Sequence, residues 1–303
     1  MAATSDGHII TGGYDKTIKV WSGARWEHSI FANWERDSTG RNAVHGGPVL
    51  ALWPMSDGFL SGSVDGLVKL WTLDGALERT FQAGGEVLCA AVLPDGDHFV
   101  VGVSVGEAMN AILLYHFDRT LVHAFRAGED EAAASMLAVT PDGQHIISDS
   151  HIKGEGFYVE GEAADFSVKV WSVASKSLVS TCIGHTGLGV HAVAVMPDGQ
   201  RILSGGDDET VRVWLLNGTL ENTFELHEHY VMALVALPDN QHALSGFHDS
   251  TVKLFNVNDG AVLRTFTHNT DPVTSLALLP DGLRFVSGSN DKTARIVMHG
   301  LAP

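Results

Sequence analysis

Four groupings in this 303-residue chain have residue types that could do chemistry. Gly102-Val103-Ser104-Val105-Gly106 is a G-x-S-x-G pattern, which in a hydrolase exposes a nucleophilic serine on a sharp strand-to-helix turn. No helical pattern follows it, and Ser104 falls at the head of a strand-to-strand loop, so the pattern reads as structure. His227-Glu228-His229 offers two imidazoles on a loop, short of the three or four donors a zinc site needs. Asn217-Gly218-Thr219 is a glycosylation sequon that also fits a plain tight turn. Asp15, Asp65, Asp208, Asp249 and Asp291 recur regularly enough to suggest a set of acids, yet each stands where a turn requires a side-chain acceptor. There is no Walker-type phosphate loop and no Cys-x-x-Cys.

These residues sit in a repeat. HIITGGYDKTIKVW (8–21), GFLSGSVDGLVKLW (58–71), RILSGGDDETVRVW (201–214), HALSGFHDSTVKLF (242–255) and RFVSGSNDKTARIV (284–297) share an apolar pair, a Ser/Thr-Gly step, an Asp and a closing strand. Two degenerate copies lie at 98–115 and 145–171, so the third strands end near residues 21, 71, 115, 171, 214, 255 and 297. A period of roughly 40–45 residues without a long amphipathic helix suits a four-stranded blade. Within a unit, VHAVAVMPDG (190–199), RILSGG, TVRVW and GTLENTFEL read as four successive strands with Pro, Asp and Gly at the turns. A small lone sheet cannot bury both faces, so blades must pack on one another around an axis. The expected fold is an all-β, seven-bladed β-propeller spanning 1–303 as one domain. Its first blade is short of innermost strand and its last lacks the outermost.

The repeats resemble the WD-repeat (WD40) family over nearly the whole chain. That resemblance implies a buried network of His, Ser/Thr, Asp and Trp in each blade. The matching residues are His185, Ser204, Asp208 and Trp214 in blade 5 and His45, Ser61, Asp65 and Trp71 in blade 2. Blade 6 keeps His227, Ser245 and Asp249 with Phe255 for Trp; blade 7 keeps His268, Ser287 and Asp291 with Val297; blade 1 keeps Thr11, Asp15 and Trp21. The Trp is never followed by Asp, since Ser22, Thr72, Ser172 and Leu215 stand there. Blade 3 lacks both Ser and Asp and is therefore expected to rely on apolar packing and to be the least regular. Propeller enzymes carry their metals or acids on the innermost strands. Segments 49–53, 87–92, 135–140, 190–195, 231–237 and 273–279 hold no carboxylate and one histidine, His191. The expectation is a protein that is not an enzyme and takes no metal or cofactor.

A net charge of −17 argues against nonspecific nucleic-acid or anionic-membrane binding, which need basic patches. Cys89 and Cys182 fall in strands of different blades and read as reduced core residues. No apolar run reaches a membrane span and the N-terminus lacks a signal-peptide pattern, pointing to a soluble intracellular, cytoplasmic protein.

Departures from a repeat mark loops, often on the binding face. The segments 104–110, 126–135 and 149–165 are expected on the top rim over blades 3 and 4. They concentrate Glu107, Glu129, Asp130, Glu131, Glu155, Glu160, Glu162 and Asp165 against Arg126 and Lys153, with Phe157 and Tyr158 between the charges. A second insertion, 23–47, supplies the first blade's outer strand and a loop bearing Trp34. The implied function is a non-catalytic protein-interaction scaffold, its acidic rim reading either as a solvated face that keeps the protein soluble or as a docking patch for a basic peptide with aromatic anchors. A substrate-receptor role in ubiquitin ligation is the alternative, although no Trp-Asp-x-Arg is present. A propeller hydrolase is disfavoured by the inner strands.

Overall fold

Runs of β-branched residues punctuated by Asp-Gly, Asp-Asn and Ser-Gly steps fold into short antiparallel strands throughout. The computed structural model describes residues 1–22, 25–30, 45–104, 111–126, 134–149, 166–187, 189–226 and 229–301. Every regular element among them is a strand. The chain forms two compact units, residues 1–126 and 127–303.

The first unit holds three sheets. One is β1 (Ala2–Ala3), β2 (His8–Gly12), β3 (Ile18–Ser22) and β4 (Arg25–Ile30). The next is β5 (Val49–Pro54), β6 (Gly58–Ser63), β7 (Leu67–Thr72) and β8 (Leu77–Gln82). The third is β9 (Glu86–Val92), β10 (His98–Ser104), β11 (Ala111–His116) and β12 (Leu121–Phe125).

The second unit holds four sheets. The first two are β13 (Leu137–Val139), β14 (His145–Asp149), β15 (Val168–Ser172) and β16 (Ser177–Cys182), then β17 (Val190–Val195), β18 (Arg201–Gly206), β19 (Val211–Leu215) and β20 (Leu220–Phe224). They are followed by β21 (Val231–Ala236), β22 (His242–Phe247), β23 (Val252–Asn256) and β24 (Val262–Phe266), and by β25 (Val273–Leu278), β26 (Arg284–Ser289) and β27 (Ala294–Met298). In every sheet, sequence neighbours are sheet neighbours. The fold class is thus the expected one, all-β with seven propeller blades, of which the first has a two-residue innermost strand and the last has three strands.

Two turn types recur. Between first and second strands an Asp caps the turn: Asp198 Oδ1 accepts the Gln200 N–H at 2.8 Å while Gly199, at φ +69°, donates to the Met196 carbonyl. Between second and third strands, Asp15, Asp65, Asp208, Asp249 and Asp291 each accept the backbone N–H two residues on, at 2.8–3.2 Å. That bond fastens a left-handed residue behind the acid, and four of the five are not glycine: Lys16, Glu209, Ser250 and Lys292, with φ of 65–72°.

The Ser/Thr-Gly step is a packing requirement. A Cβ on Gly12, Gly62, Gly205 or Gly246 would lie 2.4–2.7 Å from a methyl of Val49, Val87, Val231 or Val273, a valine at or next to the start of the innermost strand of the following blade. Glycine at this position lets adjacent blades approach closely, and the apolar clusters of each unit grow from that contact.

The third and fourth strands keep one register. Opposite the third strand's first apolar residue stands a bulky or apolar one: Val68↔Phe81, Ile112↔Phe125, Val168↔Cys182, Val211↔Phe224 and Val252↔Phe266. One residue along, a cation faces a hydroxyl: Lys69↔Thr80, Lys169↔Thr181, Arg212↔Thr223 and Lys253↔Thr265. Where blade 3 has Leu113 instead, its partner is Ala124.

Blade 3 is apolar as expected. Phe81 and Phe99 meet edge-on at 4.9 Å, Phe99 stacks on Tyr115 at 5.5 Å, and Val101 and Leu113 are buried with them. Its first two strands, at seven residues each, are the longest described, and its first–second and third–fourth pairings each shift register, as they do in blades 2, 5 and 6. One inner strand also starts earlier than expected, so β9 opens on an exposed carboxylate, Glu86.

Gly205→Ala should lower stability by about 1–3 kcal/mol, the range for overpacking a tight core, because the Val231 Cβ cannot move without its strand. Urea unfolding followed by tryptophan fluorescence measures this, and an unchanged midpoint would show that the blades are not held at that spacing.

Candidate functional site

The most chemically suggestive constellation is buried. In blade 5, His185 Nε2 lies 2.6 Å from Ser204 Oγ, and its Nδ1 lies 3.0 Å from both Asp208 oxygens. Trp214 Nε1 donates to the same Ser204 Oγ at 2.7 Å. Blade 2 repeats this with His45, Ser61, Asp65 and Trp71 at 2.7, 3.1 and 2.7 Å. Donor chemistry fixes the proton order. Indole N–H can only donate and carboxylate can only accept, so the serine accepts from Trp, gives its own hydrogen to His Nε2, and His Nδ1–H donates to Asp.

Atom for atom this is a Ser-His-Asp set, yet it is built to hold rather than to attack. Ser61 and Ser204 are wholly buried, and each oxygen is already occupied by an indole N–H. The Asp then ties in the next segment: Asp65 accepts the Gly46 N–H at 2.6 Å and Asp208 the Thr186 N–H at 3.1 Å. Burial opposes the charge on Asp208, but the His185 hydrogen bond and charge, with the N–H and hydroxyl donors, outweigh it and hold the carboxyl far below its ordinary range. Asp65 is lowered in the same way. His45 is pushed below its ordinary value by burial, against the pull of Asp65.

The other blades keep parts of the network. Trp21 donates to Thr11 Oγ1 at 3.1 Å in blade 1. In blade 7, His268 Nε2 reaches Ser287 Oγ at 2.8 Å, but Asp291 takes Thr270 and Thr293 rather than the histidine. In blade 6, Phe255 offers no N–H, and Ser245 Oγ turns to the Lys253 carbonyl at 3.5 Å; His227 lies outside the described residues. Blade 4 pairs Trp171 with Ser148 at 3.0 Å.

Two features escaped sequence reasoning. In blade 4 the residue after the network serine is Asp149 rather than glycine, and it is almost fully buried. It accepts the N–H groups of Ser135 and Met136 and the Ser135 hydroxyl at 2.6–2.9 Å, so it fastens the segment entering the innermost strand as Asp65 and Asp208 do elsewhere. The second is a cation two positions before the aromatic slot: Lys19, Lys69, Lys169, Arg212, Lys253 and Arg295. Lys253 Nζ reaches the Leu226 carbonyl at 2.8 Å, Arg295 reaches the His268 carbonyl, and Arg212 lies 6.0 Å over the Trp214 ring. Both signals were readable, the first as a broken Ser-Gly step and the second as a six-fold recurrence.

The remaining candidates resolve simply. Gly102 and Ser104 lie within strand β10, with no turn ahead of the serine; Val105 and Gly106 are outside the described residues. Asn217 Oδ1 accepts the Thr219 N–H at 3.0 Å in a tight turn between β19 and β20. His191 Nε2 pairs with Asp207 Oδ1 at 2.6 Å. A cleft of about 810 Å³ in the second unit is lined by Asp208, Glu209, Glu225, Asp249, His229, Lys253 and Leu226. Cys89 and Cys182 are buried, and burial pushes the Cys182 thiol up to about 12. Glu107, Glu129, Asp130, Glu131, Lys153, Glu155, Phe157, Tyr158, Glu160, Glu162, Asp165 and Trp34 all lie outside the described residues, as does Glu228. Among the described residues no group of three or more His, Cys, Asp or Glu is placed to hold a metal ion, and no helix is long and apolar enough to cross a membrane.

Comparison with known proteins gives the same repeat. The model of the WD domain, G-beta repeat, matches residues 1–22, 40–72, 176–214, 218–256 and 260–297, more than half of the chain. COMPASS component SWD3 of Saccharomyces cerevisiae is 29% identical over 192 residues, 63% of this chain and 55% of that protein. Apoptotic protease-activating factor 1 of Mus musculus is 30% identical over 179 residues, 54% of this chain and 13% of that protein. Nuclear distribution protein PAC1 of Coccidioides posadasii is 27% identical over 214 residues, 66% of this chain and 42% of that protein. The match thus spans from about an eighth to just over half of these relatives' lengths.

Ser204→Ala should cost about 2–4 kcal/mol by stranding the Trp214 N–H and His185 Nε2 in the core, measured by urea unfolding; less than about 0.5 kcal/mol would deny the bridge its role. Stability should also depend on pH in two steps. A histidine whose folded pKa is lowered binds its proton more readily unfolded, so the His45 and His268 contributions are complete above about 6.5 and decline below it. The lowered Asp65, Asp208 and Asp291 add stability above about 3.8 that is lost as pH falls through their folded values. Thermal unfolding between pH 3 and 8 should show both limbs, and His45→Gln should flatten the upper one.

Proposed function

The chain belongs to the WD-repeat family, and we propose that it works as a non-catalytic scaffold whose loops dock partner proteins. Propellers of this family, including those of the relatives above, are generally interaction scaffolds rather than enzymes. A rigid strand frame with variable loops suits that work, because the frame fixes position and the loops supply specificity.

The docking element proposed is the acidic pair of segments in blade 4, residues 127–133 and 150–165. It carries Glu129, Asp130, Glu131, Glu155, Glu160 and Glu162 with Lys153, and has Phe157 and Tyr158 as aromatic anchors. The single observation that carries this reading is Asp149. In the regular blades the fastening acid sits inside the second-to-third-strand turn; in blade 4 it stands before that turn, at the end of β14. The fastening contact of blade 4 is thus supplied by Asp149, ahead of residues 150–165. A basic, extended partner segment complements the acids, and the carboxylates lining the blade 5–6 cleft in the same unit have the same sign.

Replacing residues 150–165 by a short Gly-Ser turn should leave the thermal unfolding midpoint unchanged. The same change, or Glu155, Glu160 and Glu162 all reversed to Lys, should abolish binding of Lys/Arg-rich peptides measured by titration calorimetry. A replaced chain that unfolds early would return the loop to a structural role, and undiminished peptide binding would move the site elsewhere.

A further inference from the structure

His98 opens β10 and His116 closes β11, and the ladder sets them directly opposite each other. Their rings meet edge to face with centroids 5.0 Å apart. Each imidazole has its own carboxylate: Asp95 Oδ2 lies 2.7 Å from His98 Nδ1, and Asp118 Oδ1 lies 3.0 Å from His116 Nδ1. Both histidines are partly open to solvent, and among the described residues neither Nε2 meets a hydrogen-bond partner.

No other blade has this pair. His8 with Asp6 and His242 with Asp239 repeat the carboxylate contact at 2.8 and 2.7 Å, but Ser22 and Asn256 stand opposite them. A carboxylate that accepts Nδ1–H fixes the tautomer whose lone pair is on Nε2 and raises the basicity of that nitrogen, as it does in histidines that hold metals. Asp95 sets His98 this way. At His116 the Asp118 N–H also lies 3.1 Å from Nδ1, so one tautomer accepts that N–H while the other donates to Oδ1. A cation at Nε2 selects the second.

We propose that His98 and His116 form a site for a divalent transition-metal ion, Zn²⁺ or Cu²⁺, bound through the two Nε2 atoms while Asp95 and Asp118 hold the rings. Imidazole donors suit these ions, whereas Ca²⁺ and Mg²⁺ want oxygen. Two nitrogens on one ion at about 2.0–2.1 Å lie about 3.3 Å apart. Rings with centroids 5.0 Å apart can reach that separation. The two carboxylates balance the charge of the ion. Two protein donors leave the other positions to water, so the ion exchanges with solvent and the site is not a closed structural centre. The ion clasps β10 to β11 in the blade that lacks the serine and aspartate of the network. This departs from the expectation of a metal-free chain, which was drawn from the innermost strands. The site lies in the first unit and does not rest on the docking role of the blade 4 loops.

The test is titration of the full chain at neutral pH with Cu²⁺ alone, then Zn²⁺ alone, followed in long-range ¹H–¹⁵N spectra of the histidine rings. Substoichiometric Cu²⁺ should erase the His98 and His116 ring signals together, before that of His242, the lone imidazole with the same carboxylate contact. Zn²⁺ should move both Nε2 resonances and leave Nδ1 of His116 protonated. His98→Asn and His116→Gln, each checked for a native circular dichroism spectrum and unfolding midpoint, should each weaken Zn²⁺ binding by about tenfold or more in calorimetry. The ring spectra of the unaltered chain carry the test if a variant unfolds. Unmoved His98 and His116 signals overturn the proposal, as does loss of the His242 signal at the same Cu²⁺ concentration. Unchanged Zn²⁺ affinity in both variants overturns it as well.

Discussion

Everything else in the structure hangs on a hydrogen bond that is hard to reach and expensive to leave unmade: the indole N–H of a third-strand Trp donating to a second-strand Ser. In blades 2 and 5 that serine passes its own hydrogen to a histidine, which in turn holds an aspartate. One chain of donors therefore links the second strand, the third strand, the turn between them and the segment entering the innermost strand. The tryptophan, serine and histidine are buried and the aspartate half-buried, so removing a buried member strands its neighbour where it has no water to turn to. The glycine beside the serine completes the arrangement by letting the valine of the following blade close over it.

The blades depart from this scheme in ways that remain physically consistent. Blade 3 lacks the polar members together and packs Phe99 and Tyr115 against Phe81 of blade 2, in a sheet whose first two strands are the longest described. Blade 6 loses the indole and redirects its serine. Blade 4 places its fastening acid, Asp149, at the end of a strand rather than inside the turn. The frame is thus conserved in its physics while its residues shift, and the shifts locate the segments that can carry function.

Much of this was legible in the residues. The resemblance to WD-repeat blades implied the network at Trp71, Trp214, Ser61 and Ser204, and Phe255 and Val297 marked where it would be incomplete. Asp149 and the Lys/Arg series were less visible because each needs register to interpret. A carboxylate after the serine becomes a clamp only once Ser135 and Met136 are seen against it. A cation beside an aromatic becomes a stitch only when its carbonyl partner lies some 27 residues away. The loop residues from Glu129 to Tyr158 follow no repeat, so sequence gives their charge and not their arrangement.

The most direct test of the central claim is a double-mutant cycle on Ser204→Ala and Trp214→Phe, read as urea unfolding free energies. If the buried bridge is what holds the frame, the two changes remove one interaction and the cycle should return a coupling of about 1–2 kcal/mol. Blade 6, with Ser245 beside Phe255, indicates that the indole can be replaced by a phenyl ring without losing the sheet. Additive effects, within about 0.3 kcal/mol, would mean that the serine and the tryptophan act independently, and would contradict the account.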